Sequence, residues 1–515
     1  MSAEPTRRPT LLLVGGARAV TVSLAMVTDA LEQARARGLR THVVAPATAL
    51  AATPEVIAAA DAVSAVDFAD PAATARWAAA EAGQGRPVDA VYALQEMAQV
   101  SVAETARAVG AAGNPPEAVR RIRTKDLCRA ALAEAGFPQP PVRLCGGAAD
   151  AEAFLAEVPG PWVVKPRDAM GSIGVSLVET PEHLAPALAA LPDPDRFLIE
   201  QFVTGPEFSV EGVFLDGQPH IFAITAKDKA EPPFFVEIGH TLPAVLSPAD
   251  ETRVKERVTA ALRTLGLRAG AFHVELWLTA DDVVLGEVHG RYGGDWIHRM
   301  LEHAVPGLDL YGVVYDDLLG RRTGPAGHQP ERGAAVRYFT PPPGRLRSVE
   351  GWDEVHRHPA VLYAELSVTP GDRIPPLRRS SDRAGLVVVG AEDAPAAEKL
   401  ARELVASVRF TVEPEEPADL AGSAGSAYSA GPIGPVSPAG AAGSVGPAGA
   451  AGSVGSSSPA GPTGPAGSVG PADSTGPVSP TDPVSPTDPV GPVSPTDLVG
   501  PVSPARPAGP TGPSA

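Results

Sequence analysis

Residues 11–16 (LLLVGG) form an unbroken apolar run that ends in two glycines, the pattern of a buried parallel strand entering a turn. A helix is predicted from there to Gly38, followed by strands at 41–46 (THVVAP) and 88–94 (VDAVYAL), the last ending at Gln95-Glu96. Strand and helix in alternation predict an open α/β domain within residues 1–115. Gly15-Gly16 falls short of a GxGxxG fingerprint, so it reads as a tight strand-to-helix turn and not as a dinucleotide site.

Asn114-Pro115-Pro116-Glu117 predicts a helix start with an N-cap and proline in the first turn. A second helix, Thr124 to Ala135, stops at Gly136 with Pro138 just beyond. Strands follow at 162–165, 175–178, 197–203, 207–215 and 220–225, then a helix at about 250–265 and a hairpin at 271–289. These make a two-lobed region over 116–325. Residues 326–413 predict a small α/β unit with strands AAVRYF and GLVVVG and a closing helix, APAAEKLARELVASV. From 414 to 515 periodicity vanishes. Gly, Pro, Ala, Ser, Val and Thr dominate, with PVSPTD repeated at 477, 483 and 492. Such a segment buries too little apolar surface to offset chain entropy and predicts a disordered tail. Its glycines lack the strict triplet period of collagen.

The net charge is −18, of which residues 421–515 supply only four Asp and one Arg. An acidic globular part argues against a broad nucleic-acid surface, though not against a small anion in a basic cleft. Two cysteines, Cys128 and Cys145, offer neither a disulfide framework nor zinc spacing. No apolar stretch is long enough for a membrane span, and the short run at the N-terminus is no signal peptide, so a cytoplasmic protein is expected. Of 42 basic residues, 36 are Arg and six Lys, so each lysine raises the question of why a compact ammonium is kept there.

Three segments carry chemistry. In AFHVELWLTADDVVLGEVHGRYGGD (271–295), a loop centred on Asp281 sets Glu275 opposite Glu287 and His273 opposite His289. Facing carboxylates repel across a sheet, a penalty that a divalent cation reverses; a solvated sheet face in another register is the alternative. In KPRDAMGSIG (165–174), glycines between strands allow backbone N–H groups to approach phosphate, with Lys165 at the base. In LIEQFVTGPEFSVEG (198–212), Glu200 and Glu207 flank a Thr-Gly-Pro turn.

In order and spacing these segments resemble the ATP-grasp superfamily of carboxylate–amine ligases, in particular its amino-acid and peptide ligase branch, over roughly residues 10–412. The resemblance implies an ATP-grasp fold of mixed α/β and α+β character. It implies that Lys125 and Lys165 hold ATP phosphates, and that Gly171, Ser172 and Gly174 form the flap over them. Glu200 and the Gln201, Phe202 and Val203 backbone would border adenine, with Glu207 on the ribose. Glu275 and Glu287 would ligate Mg2+, and Arg291 would stabilise charge on an acyl phosphate. His289 stands where the family usually has Asn; it either ligates, favouring Mn2+, or leaves the metal to the carboxylates and phosphates. Gly293 and Gly294 complete the motif, and Asp295 either receives a substrate ammonium or caps the next helix. Glu237 and His240, in FFVEIGHTLPA, would face substrate, while Lys227 and Lys229 either face the phosphates or lie on a mobile loop, the second reading being favoured.

The implied activity is ATP-dependent amide formation between small-molecule carboxylate and amine substrates through an acyl phosphate, with ATP and Mg2+ as cofactors. A carboxyphosphate-forming or purine-type member, or a non-catalytic nucleotide-binding scaffold, are the rivals. No Met-Lys-Met biotinylation site is present. A homodimer is an expectation of the family, and the tail is a spacer or binds a partner. Truncation after residue 413 is expected to leave ATP turnover at the full-length rate, measured as ADP release; a large loss would give the tail a part in catalysis.

Overall fold

The structure, a computed structural model, describes residues 7–321 and 327–414. The expected tail therefore lies outside the described residues, apart from its first position. Among those residues no helix is long and apolar enough to cross a membrane.

The N-terminal region holds a four-stranded parallel sheet in the order Ala62–Ala65, Arg40–Ala45, Thr10–Val14, Ala90–Tyr92. Its outer strand, Ala62–Ala65, is short and only half-buried, so no apolar run announced it. Helix Thr21–Ala36 lays Met26, Val27, Ala30, Leu31 and Ala34 inward at helical spacing. The helix expected after Asn114 runs Pro116–Arg123, but Pro115 stands at its N-cap and Asn114 does not cap it. Its amide instead accepts from the Arg268 and Ala269 N–H groups at 2.7 and 2.9 Å and donates to Ala269 O, tying this entry to a distant loop.

A four-stranded antiparallel sheet, Val142–Cys145, Phe197–Gln201, Trp162–Pro166, Ser176–Val178, forms one lobe. An eight-stranded antiparallel sheet forms the other. Its order is Val283–His289, Ala271–Leu278, Glu207–Leu215, Gln218–Lys229, Glu237–Leu242, Gly333–Tyr338, Gly385–Ala391, Val361–Leu366. The last three strands come from the segment expected to be a separate unit after 325, so one ladder runs across that boundary. Hydrogen bonding between Glu237–Leu242 and Gly333–Tyr338 joins the two parts. Helix Ala394–Ser407 covers this end, capped by Asp393 on the Ala396 N–H at 2.8 Å. Leu11, Val27, Val213, Met300, Val314 and Val388 share one core, which fixes the N-terminal sheet against the large one.

Candidate active site

Ionisable side chains of the large sheet converge with those of the small lobe. The hairpin pairs His273 with His289 as its alternation predicts, and the rings stack with centroids 5.6 Å apart. Beyond Val274↔Val288 the register shifts to Leu276↔Leu285, so Glu275 and Glu287 sit at a bulge and not in an ordinary opposed pair. Gly286 lies in that bulge, and a Cβ there would come within 2.8 Å of the Trp277 ring.

Each of the two carboxylates meets a lysine. Lys227 Nζ lies 2.7 Å from Glu275 Oε2 and 2.6 Å from Glu207 Oε1, and Lys125 Nζ lies 3.4 Å from Glu287 Oε1. Burial alone would push both carboxyls up; Lys227 and His273 hold Glu275 well below the usual range, and Lys125 and His289 do the same for Glu287. Lys227 is 3% exposed. Burial opposes its charge, but Glu207, Glu275 and Glu237 raise it well above the usual lysine value. The mobile-loop reading of Lys227 and Lys229 is thus corrected. Both lie on strand Gln218–Lys229, whose far end pairs with Glu237–Leu242, and Lys229 also bonds Glu207.

Lys165 Nζ bonds Glu200 Oε1 at 2.6 Å, and the buried Arg129 guanidinium meets the same carboxylate, Nε to Oε2 at 2.8 Å. Glu200 is therefore held between two cations. Burial disfavours charge on both, lowering Lys165 below the usual amine value, whereas Arg129 and Lys165 outweigh burial at Glu200 and keep it ionised. In the hinge the Gln201 N–H is given to Pro141 O and the Phe202 N–H to Pro161 O, both at 2.9 Å. A base docked there is left with the carbonyl oxygens and the Val203 N–H. The Phe202 ring stacks on Phe235 at 5.6 Å.

The glycine loop between Trp162–Pro166 and Ser176–Val178 holds Gly171, Ser172 and Gly174 at φ of 70°, 57° and 69°. For Ser172 this is a conformation that non-glycine residues seldom adopt, of the kind that gathers at ligand clamps. Its Oγ donates to Glu237 Oε2 at 3.4 Å, Ser380 Oγ donates to the same oxygen at 3.3 Å, and the Ser380 N–H donates to Gly171 O. Lys125 Nζ donates to Ala169 O at 2.7 Å. The loop is thereby tied at both ends of the cleft.

His289 uses both ring nitrogens on carboxylates, Nδ1 on Glu96 at 3.1 Å and Nε2 on Glu287 at 3.4 Å. Burial works against its protonation, yet Glu96 and Glu287 raise it above the usual histidine value. Both ring nitrogens are thus engaged by carboxylates, and a metal would have to displace one of these contacts. Arg291 Nε also donates to Glu96, at 2.9 Å. Among the described residues no group of three or more His, Cys, Asp or Glu side chains is disposed to hold a metal ion. Two ionised carboxylates at one bulge do fit a hard cation that takes its remaining oxygens from phosphate and water.

Asp295 caps nothing. Helix Ile297–Ala304 has Trp296 at its N-cap, and Asp295, at φ 51°, is drawn away by Arg383, whose Nη2 and Nη1 donate to Oδ1 and Oδ2 at 2.9 and 3.0 Å. His240 Nε2 lies 3.0 Å from Oδ2. Burial would raise the Asp295 carboxyl, but Arg383 and His240 hold it well below the usual range. Gly293 packs over His273, where a Cβ would lie 2.9 Å from Nδ1; Gly294 has open space. Behind Glu275, His273 links Glu275 Oε1 at 3.3 Å to the fully buried Glu211 at 2.8 Å. Burial opposes its charge, but Glu211 and Glu275 push it up to about 9. Glu96, Arg129, Glu211, Ser380 and Arg383 were not singled out by motif. Their partners are tens to nearly two hundred positions away, and the only signal is polarity where the pattern calls for core.

Two family models match the chain. An ATP-grasp domain matches residues 158–299, and an L-amino acid ligase C-terminal domain 2 matches residues 337–413. The chain thus contains an ATP-grasp domain, and the curated relatives that it matches include ligases. More particularly, the described residues end in a segment that matches the L-amino acid ligase C-terminal domain 2. An L-amino acid ligase structure from Bacillus licheniformis superposes with a TM-score of 0.63 at 22% identity, covering 80% of this chain and 100% of that one. An uncharacterised protein of Sinorhizobium fredii is 28% identical over 339 residues, 64% of this chain and 70% of its own. The alanine–anticapsin ligase of Bacillus subtilis is 26% identical over 257 residues, and the alignment spans 45% of this chain but only 54% of that protein.

Proposed function

We propose that the protein joins a carboxylate to an amine through an acyl phosphate, with ATP converted to ADP and phosphate, and that the acyl donor is an amino acid or small peptide. The observation that carries this reading is the alternation of Lys125 with Glu287 and of Lys227 with Glu275 along one cleft. Phosphoryl transfer needs alignment and charge neutralisation more than a protein nucleophile, and such an array supplies both. Glu275 and Glu287 would hold a divalent cation, Mg2+ or Mn2+, which would supply charge neutralisation for the phosphates. Lys165 and Lys125 would hold the phosphates from the lobe side, and Lys227 would join them once phosphate displaces part of its carboxylate cage. The loop at Gly171–Gly174, already tied to Glu237, would exclude water that hydrolyses the intermediate. Arg291 would meet the charge on the acyl oxygens with whatever part of its guanidinium Glu96 and Tyr292 O leave available.

A hydroxylamine trap tests the reading. Purified protein with ATP, Mg2+, hydroxylamine and the common L-amino acids is expected to yield hydroxamate and ADP in equal amounts. ADP without hydroxamate from any donor would sink the acyl-phosphate route, and neither product with ATP still bound would favour a non-catalytic scaffold.

A further inference from the structure

Amide formation needs a step that phosphate contacts do not provide: the attacking amine must lose a proton. We propose that His240 is the proton acceptor for that amine and that Asp295 orients its ring, an inference that rests on the ligase reading above. His240 is 5% exposed, on strand Glu237–Leu242. Its Nε2 faces Asp295 Oδ2 at 3.0 Å, while its Nδ1 is buried with no hydrogen-bond partner. Asp295 also receives two bonds from Arg383, so it is an ionised acceptor and the hydrogen between it and His240 belongs to the ring. In the neutral ring the lone pair then sits on Nδ1, a buried acceptor without a partner. Buried polar atoms are rarely left unpaired, and one that a substrate N–H would satisfy is the signature of a binding or catalytic contact.

The charges around it suit this task. Lys227 lies directly across the strand pair from His240, Arg383 stands behind Asp295 with its guanidinium 3.5 Å from the Tyr338 ring centroid, and Glu211 lies within electrostatic range. Asp295 stabilises the imidazolium once the proton arrives, as a carboxylate does in other histidine-based sites. In the step itself the amine lone pair forms the C–N bond to the acyl carbon. One N–H proton passes to Nδ1, and the C–O bond to phosphate breaks with its electron pair leaving on phosphate. His240 then returns the proton to solvent.

Hydroxylamine provides the test, because it is unprotonated near neutral pH and attacks without a base. Wild-type, His240→Gln and Asp295→Asn proteins would be given ATP, Mg2+ and the common L-amino acids, with hydroxamate and dipeptide measured separately. Glutamine keeps a donor toward Asp295 and removes the basic lone pair. The expected result is hydroxamate within about threefold of wild type and dipeptide lower by about 10²-fold or more for His240→Gln, with a smaller loss, about tenfold, for Asp295→Asn. The dipeptide defect is expected to shrink between about pH 7 and about pH 9 as amines deprotonate unaided. Hydroxamate and dipeptide falling together, or neither falling, in whichever variant folds overturns the proposal. A wild-type protein that forms no hydroxamate overturns the ligase reading instead, and this one with it.

Discussion

Glu287→Gln is expected to lower ADP formation by about 10²–10³-fold, the scale of losing one charge-stabilising contact in a dry site, while nucleotide binding survives. The substitution conserves volume, so the bulge and its packing remain. Only the negative charge goes, and with it a hard oxygen ligand for the cation. Lys125 keeps its bond to Ala169 O and His289 keeps Glu96, so neither neighbour is stranded. Removing an anion from beside Lys125 makes the cleft more positive, and the affinity for ATP is expected to hold or rise. The result looked for is a collapse in kcat with an unchanged or lower nucleotide Kd, read from ADP release and from equilibrium titration. Turnover within about threefold of wild type would remove Glu287 from the catalytic apparatus. Loss of binding and turnover together would mean that it shapes the nucleotide pocket instead.

That this residue was found by pattern, and others were not, has a physical reason. The hairpin is local, so alternation fixes the face on which Glu275, Glu287 and His289 lie, and the loop length fixes His273 opposite His289. The bulge is invisible to alternation because the size of Trp277, and the lack of a side chain at Gly286, settle it. Lysine scarcity marked Lys125 and Lys165, yet the same signal at Lys227 and Lys229 was outweighed by the loop-like AKDKAEPP. That strand persists because Glu237–Leu242 pairs along it and carboxylates satisfy its charges. Asp295 and Asn114 each sit where a cap is the local expectation. Both are claimed instead by long-range partners, Arg383 and the 268–269 backbone. The continuous eight-stranded sheet was hidden for the same reason: Glu237–Leu242 and Val361–Leu366 were not read as strands, and the adjacency of the others is a tertiary fact.

The second large effect concerns Arg129, which is 1% exposed and forms an ion triad with Glu200 and Lys165. Arg129→Met is expected to destabilise the protein by about 3–5 kcal/mol, because it leaves a buried carboxylate with half its compensation. The double variant Arg129→Met/Glu200→Gln is expected to recover much of that loss. With the anion gone, Lys165, already lowered by burial, is free to shed its proton and removes the last uncompensated charge. The pH dependence follows from Glu200. Its carboxyl is held below the ordinary 4.5, so its contribution is complete above about that pH and is lost as pH falls through the lower folded value. Without Arg129 the folded value climbs back toward or past 4.5, and acid unfolding of the single variant is expected to begin at higher pH than in wild type. Denaturant titrations of the four proteins of the cycle at neutral and mildly acidic pH would measure this. A double variant less stable than Arg129→Met by more than about 1 kcal/mol would show that Glu200 serves Lys165 alone, and that Arg129 is held by its hydrogen bonds to Gln139 and Leu285 O. In the proposed reading the triad matters beyond stability, because it fixes the ammonium that would face the phosphates to the strand Phe197–Gln201. A weakened Arg129 would therefore loosen Lys165 before the sheet itself gives way, and the rise in the Michaelis constant for ATP should precede, along the acid axis, any loss of secondary structure.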